Sequence, residues 1–452
     1  MLDSQLFKVI LKEVFSLLKK DIKMKSNIVK CALALFFSTV SVAGVSAQGS
    51  FDWPQWRGSQ RDGICKETNL LPAWPKDGPT LAWKVTGLGG GYSTPSVANG
   101  KIFGMSYLAD NENVWALDEK NGSKIWETKI ASKGKVGYNE GSRCTPTVDG
   151  NNIFVVGVSG DVVCLESASG KIVWQKNFAK DFKGKMMSGW GFSESPLIDG
   201  DKIIVTPGAD EAALVALDKK TGNTIWASKI DAGGGAGYAS IVISEAAGVK
   251  QYITWLGKCI VGVDANNGKF LWRYSANANG TANIPTAIIK GDLVFCSTGY
   301  GKGTSLIRLV SNGMGGIDAK EVYYLKEQSK DIQNHHGGMV LIGEHIFFGT
   351  GHNNGNPCCL EMNTGKVAWL QEKHLGNGSA GVLFADGKIY FRNQDGTVNL
   401  VEATTKAHNL ISSFKTPEPS GKPNWPHPVI ANGRLLLRDQ DKMFSYAIKA
   451  AQ

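Results

Sequence analysis

An eleven-residue phrase recurs along this chain and limits what it can fold into. It reads ALDEKNGSKIW at 116–126, CLESASGKIVW at 164–174, ALDKKTGNTIW at 216–226, GVDANNGKFLW at 262–272 and CLEMNTGKVAW at 359–369. Two degenerate copies follow the same rhythm, one ending near Tyr323-Tyr324 and one reading LVEATTKAHNLISSF at 400–414. Each copy reads as strand, tight turn, strand. An acid closes the first strand, a Gly-ending segment supplies turn chemistry with positive φ, and an apolar residue plus Trp open the next strand. A hairpin signal precedes each copy, as in TPSVANGKIFG from Thr94, TPTVDGNNIFV from Thr145 and SPLIDGDKIIV from Ser195. Together they make four short strands per repeat, the content of one propeller blade.

The aromatic landmarks fall at Trp83, Trp126, Trp174, Trp226, Trp272, Tyr323, Trp369 and Phe414, with spacings of 43, 48, 52, 46, 51, 46 and 45 residues. Periods of this size with four strands each mean blades rather than separate domains. Trp83 stands in LAWKV without three strands before it, and residues 427–448 hold three strands without a fourth. Pairing the two ends solves both problems and leaves no ring edge exposed. The expectation is an all-β, eight-bladed β-propeller of four-stranded blades, closed by pairing the N-terminal strand with the C-terminal blade.

The repeated pattern resembles the PQQ-like (pyrroloquinoline-quinone-like) repeat of quinoprotein alcohol dehydrogenases and of the outer-membrane assembly lipoprotein BamB. The resemblance covers about residues 80–448. The opening WPQWRGSQRDGI at 53–64 also looks like the start of exported propellers with such repeats. It implies fold more than function, because the turn and the Trp are blade architecture.

Ahead of the repeats, the chain from Met24 reads MKSNIVKCALALFFSTVSVAGVSAQ. Lys25 and Lys30, a short apolar core and the small-residue site Val45-Ser46-Ala47 have the order of a secretory signal, cleaved after Ala47. The apolar stretch is short for a span, which needs about 20 residues. Three segments follow: an extension and signal peptide over 1–47, an N-terminal segment packing on the propeller over 48–79, and the propeller over 80–452. The expected location is periplasmic or secreted, with no transmembrane span after cleavage. Residues 1–47 carry seven Lys and three acids, so the net charge of +9 falls to about +5 without them. With no basic cluster to track a phosphate backbone, nucleic acid is not an expected partner.

Blade geometry sorts the loops. Connections before each first strand share a face with those between second and third strands, and the Gly turns lie on the other. The loops before the first strands differ from blade to blade and concentrate chemistry, as a binding rim does. They hold Arg143, Trp190, Glu194, Tyr238, Asn283, His335, His336, Trp425 and His427, the candidate ligand-binding set at the channel mouth. Arg suits an anion, Trp and Tyr suit a flat ring or sugar, and His moves protons near neutrality. The competing reading is that His and Trp bridge neighbouring blades. A His335/His336/His427 metal site is not expected, since adjacent side chains of an extended segment point opposite ways. No catalytic residue is assigned.

Cys358-Cys359 invites comparison with the vicinal disulfide of quinoprotein alcohol dehydrogenases. The pair falls inside the repeat phrase, however, with Cys359 in the slot of Ala116 and Ala216, which favours small buried strand residues. The Gly runs at 89–91 and 233–235 lack the helix and Lys of a phosphate loop.

The leading functional expectation is a ligand- or protein-binding scaffold acting through the channel-mouth face, with other exported or envelope proteins, a small molecule or a glycan as partner. The alternatives are a quinoprotein oxidoreductase of alcohols or sugars, with PQQ and Ca²⁺ as its cofactors, and a carbohydrate-binding or carbohydrate-acting propeller. The resemblance implies a calcium site and an Asp base for the oxidoreductase, and neither can be placed on this chain.

Overall fold

The computed structural model describes residues 51–373 and 376–450. The signal-like stretch at 24–47 lies outside them. Eight sheets form, each of four consecutive antiparallel strands apart from the additions at the chain start. Blade 1 runs Ser96–Ala98, Lys101–Leu108, Asn111–Asp118 and Lys124–Ser132. Blades 2 to 7 repeat that order, beginning at Thr147, Leu197, Val242, Ile288, Met339 and Ala380. Blade 8 takes Val429–Ala431, Arg434–Asp439 and Lys442–Ala447 from the end of the chain and its outer strand, Thr80–Val85, from the beginning. Trp83 pairs with Ser445 across that junction, so the ring closes as the split repeat requires.

The phrase now has a physical explanation. Its first residue faces the Trp across the outer strand pair: Ala116 with Trp126, Cys164 with Trp174, Ala216 with Trp226, Gly262 with Trp272, Cys359 with Trp369. A small residue there leaves room for the indole, and a bulge just beyond it turns the ring toward the next blade. Trp83, Trp126, Trp174 and Trp369 donate Nε1–H to the carbonyls of Glu119, Ser167, Lys219 and Thr404 in the following blade. The turn Gly of that blade lies against the ring, as Gly122 does against Trp83 and Gly222 against Trp174. Trp272 donates instead to Gln251 of its own blade. The acid caps the turn, Asp118 Oδ1 accepting from Lys120 and Asn121. Apolar residues of adjacent blades fill the space between sheets, as Phe103, Val114, Phe154, Val163 and Val205 do across blades 1 to 3.

The segment before blade 8's outer strand enters the channel. Trp53 pairs with Val97 of blade 1, and the Pro54 carbonyl accepts from Val148 of blade 2. Arg61 donates to the carbonyls of Ser195 and Pro196 before blade 3, and Arg57 to that of Met339 in blade 6. Ile64–Cys65 adds as a parallel strand to the inner edge of blade 7. Inner edges that would carry unpaired main-chain groups are thereby satisfied, and one end of the channel gains a floor. Among the described residues no helix is long and apolar enough to cross a membrane.

Candidate functional site

Above this floor the loops enclose a cavity of about 440 Å³, within the range of small-molecule sites. Seven of the sequence candidates line it: Arg143, Trp190, Tyr238, His335, His336, Trp425 and His427. Glu194 and Asn283 do not. Both side chains turn back into the scaffold. Glu194 Oε1 accepts from the Thr206 amide at 2.6 Å, and burial raises its carboxyl to about 7. Asn283 accepts from the Asn279 amide and donates to the carbonyls of Leu256 and Gly257, stitching blade 4 to the loop before blade 5.

An almost continuous run of rings forms the wall. Tyr238 meets Trp190 at 5.8 Å, Trp190 meets Tyr138 at 6.2 Å, and Tyr138 meets Trp425 edge-on at 5.2 Å. Trp425 then touches His336 at 4.5 Å, His336 stacks on His335 at 3.8 Å, and His335 reaches His352 at 4.2 Å, with Tyr300 beyond at 4.5 Å. Trp56, from the channel segment, contacts His427 at 4.6 Å and donates to Thr286 of the loop before blade 5. His335 and His336 therefore turn to the same side, against the expectation drawn for an extended segment. They occupy a bend before blade 6, where the two-residue alternation of a strand does not apply. Even so, no group of three or more His, Cys, Asp or Glu among the described residues is arranged to hold a metal.

Bridging and lining are the same residues here. The His427 amide donates to Thr94 Oγ1, and its Nε2 lies 3.3 Å from the His336 carbonyl. His335 Nδ1 lies 3.0 Å from Ser379 Oγ, and Trp425 donates to Gln394 at 2.7 Å. Arg143 donates to the carbonyls of Gly141, Gly137 and Tyr138, so it braces its own loop. Tyr138 and Tyr300 hold left-handed backbone at φ 51° and 60°, a conformation costing a bulky residue roughly 1–2 kcal/mol. Such strain persists where surrounding structure enforces it, and it clusters at ligand clamps.

Burial governs the electrostatics. It lowers His335 and His427 to about 3, with His352 adding to the effect at His335 and Arg57 at His427. His336 is pushed well below its ordinary value for the same reason. The imidazoles are neutral at pH 7 and act as hydrogen-bonding rings. Nδ1 of His336 and of His352 has no partner, and a buried polar atom in that state costs about 1–3 kcal/mol.

Sequence reading missed Trp56, Arg57, Tyr92, Tyr138, Tyr300 and His352 on the lining. Tyr300 and His352 occupy the hairpins between second and third strands of blades 5 and 6, which blade geometry had assigned to this face. Trp56 and Arg57 reach the cavity only through the channel-crossing path. Cys358 and Cys359 are buried free thiols on a central strand, away from the cavity lining.

The family model described as outer membrane protein assembly factor BamB matches residues 110–371, more than half of the chain. The chain belongs to this PQQ-like propeller family. A BamB of Kangiella koreensis is 22% identical over 201 residues, 42% of this chain and 45% of that relative. A tetrathionate hydrolase of Acidithiobacillus ferrooxidans is 22% identical over 371 residues, 70% of this chain and 66% of the relative. The quinohemoprotein alcohol dehydrogenase of Comamonas testosteroni superposes with TM-score 0.63 at 14% identity, over 89% of this chain and 81% of that one, which shows a shared fold. The chain spans less than half the length of the BamB relative.

The quinoprotein alternative makes a demand that can be checked. Calcium takes six to eight oxygen ligands, carboxylates prominent among them. The described lining contains no Asp or Glu, so these residues do not fit a calcium-bridged quinone, and no step is derived through one.

Proposed function

We propose that the protein is an exported binding propeller, which captures a ring-bearing partner group or small molecule in the cup at its channel mouth. The run of rings from Tyr238 through Trp425 to Tyr300 carries this reading, because it offers flat apolar faces around one cavity with few charges. Family membership supports a binding role, since the model it matches is that of an assembly factor. The signal-like order of residues 24–47 supports work in the periplasm, with other envelope proteins as the macromolecular partners. Oxidoreductase chemistry has less support, for want of carboxylates on the described lining.

A thermal-shift screen of the full chain against ring-bearing compounds tests the proposal. A ligand at 100 times its Kd adds about 2.7 kcal/mol of stability. Hits that disappear in Trp425→Ala are the expected result. A screen whose hits all persist in Trp425→Ala, or that yields none, overturns the reading.

A further inference from the structure

The cavity's chemistry narrows the ligand class further, on the footing that the cup is the binding site. A cationic ligand finds no carboxylate on the described lining, and it faces two guanidinium groups, those of Arg57 and Arg143. An anion finds positive charge but little donor capacity. Arg143 has both terminal nitrogens on main-chain carbonyls. Arg57 gives Nε to the Arg61 carbonyl and Nη2 to those of Asp62 and Met339. A bidentate fork for carboxylate or phosphate needs two free parallel N–H groups, and Arg143 does not present them.

The free Nδ1 atoms of His336 and His352 are closed to solvent and do not meet a ligand, so the polar contacts of the lining fall to neutral side chains such as Asn353, Gln394 and Ser193, which a purely apolar ligand would leave unpaired. Amide and hydroxyl side chains offer both donors and acceptors, and they call for a group that does the same. Hydroxyls meet that demand. The half-buried indoles of Trp190 and Trp425 supply the apolar platforms. A compact ring with hydrophobic faces and a rim of hydroxyls matches both features at once.

We propose that the mouth cup is a carbohydrate site, in which an uncharged pyranose lies against the Trp425 and Trp190 indoles with its hydroxyls toward the neutral polar side chains of the lining. The recognition is binding alone and involves no bond-making step.

Calorimetric titration of the full chain at pH 7 with glucose, galactose, mannose, maltose and cellobiose tests this, with glucuronate, benzoate and choline as comparators. The expected result is that at least one neutral sugar binds, and that affinity falls tenfold or more in Trp425→Ala and in Trp190→Ala. A single cooperative melting transition in each variant shows that it remains folded. Benzoate, glucuronate or choline binding through Trp425 while no neutral sugar binds would overturn the sugar and leave the cup as a site. Sugar binding indifferent to both variants would place it elsewhere and overturn the proposal. No binding by any compound, together with a blank thermal-shift screen, would remove both readings.

Discussion

The indole of Trp126 in blade 1 donates to the carbonyl of Ser167 in blade 2 at 3.2 Å, and the turn residue Gly170 lies against the same ring. The same interlock joins Trp83 to blade 1 and Trp174 to blade 3. It also gives a sharp test. Gly170 has φ +72°, and a Cβ there would come within 2.5 Å of the Trp126 ring. Gly200 has φ +59° with open space around it. Gly200→Ala therefore carries only the left-handed penalty, roughly 1–2 kcal/mol, while Gly170→Ala adds overpacking of about 1–3 kcal/mol. Urea denaturation of both variants should rank Gly170→Ala clearly lower. Equal losses would mean that the Trp–Gly contact does not hold the blades together.

The loop carrying Arg143 is anchored by a buried carboxyl whose charge state sets a pH dependence. Glu112 accepts from Ser142 Oγ at 2.7 Å and from the Val158 amide, and burial raises it to about 7 despite these bonds. A folded pKa above the unfolded value contributes stability below the unfolded pKa, and that stability is lost as pH rises through 7. Glu112→Gln stays neutral, so its stability relative to the parent should increase between pH 5 and pH 8, on the order of 1–3 kcal/mol. The depressed His335 and His427 act in the opposite sense, losing stability as pH falls from about 6.5 toward 3. They are common to both proteins and cancel in the difference. Urea unfolding at the two pH values reads it, and a difference that does not change with pH would contradict the assignment.

Native thiols should be inert. All seven cysteines among the described residues are buried and free, and burial pushes Cys144, Cys164, Cys296 and Cys359 up to about 12. The thiolate is the reactive form. A chromogenic disulfide reagent should label these positions only after denaturation, and a reducing agent should leave the melting temperature unchanged. Rapid labelling of Cys358 or Cys359 in the folded protein, or a melting temperature lowered by reductant, would contradict their place as strand residues packed between blades.

How far the sequence reveals these features follows from what repeats. The small residue opposite each Trp, the capping Asp and the turn Gly each serve one inter-blade contact made several times, so they print a period that can be counted. The site repeats nothing. Its loops can be assigned to one face by blade geometry, but side-chain direction within them cannot. Glu194 and Asn283 occupy the right loops and face the scaffold, because each satisfies main-chain groups that would otherwise be buried unpaired. His335 and His336 stack because their segment bends. Trp56 and Arg57 become lining residues through contacts 230 and 282 residues away along the chain, which no local pattern encodes.

Hydroxyl-radical footprinting with and without a compound from the thermal-shift screen tests the central claim most directly, because it locates the ligand. Trp190 and Trp425, with Tyr138, of which 53% is exposed, are oxidisable rings around one cavity, whereas Trp126 and Trp174 are half-buried on the outer strands. Binding at the channel mouth predicts protection of Tyr138, Trp190 and Trp425 with Trp126 and Trp174 unchanged. Protection confined to the outer strands, or none at the three mouth rings under saturating ligand, would contradict it.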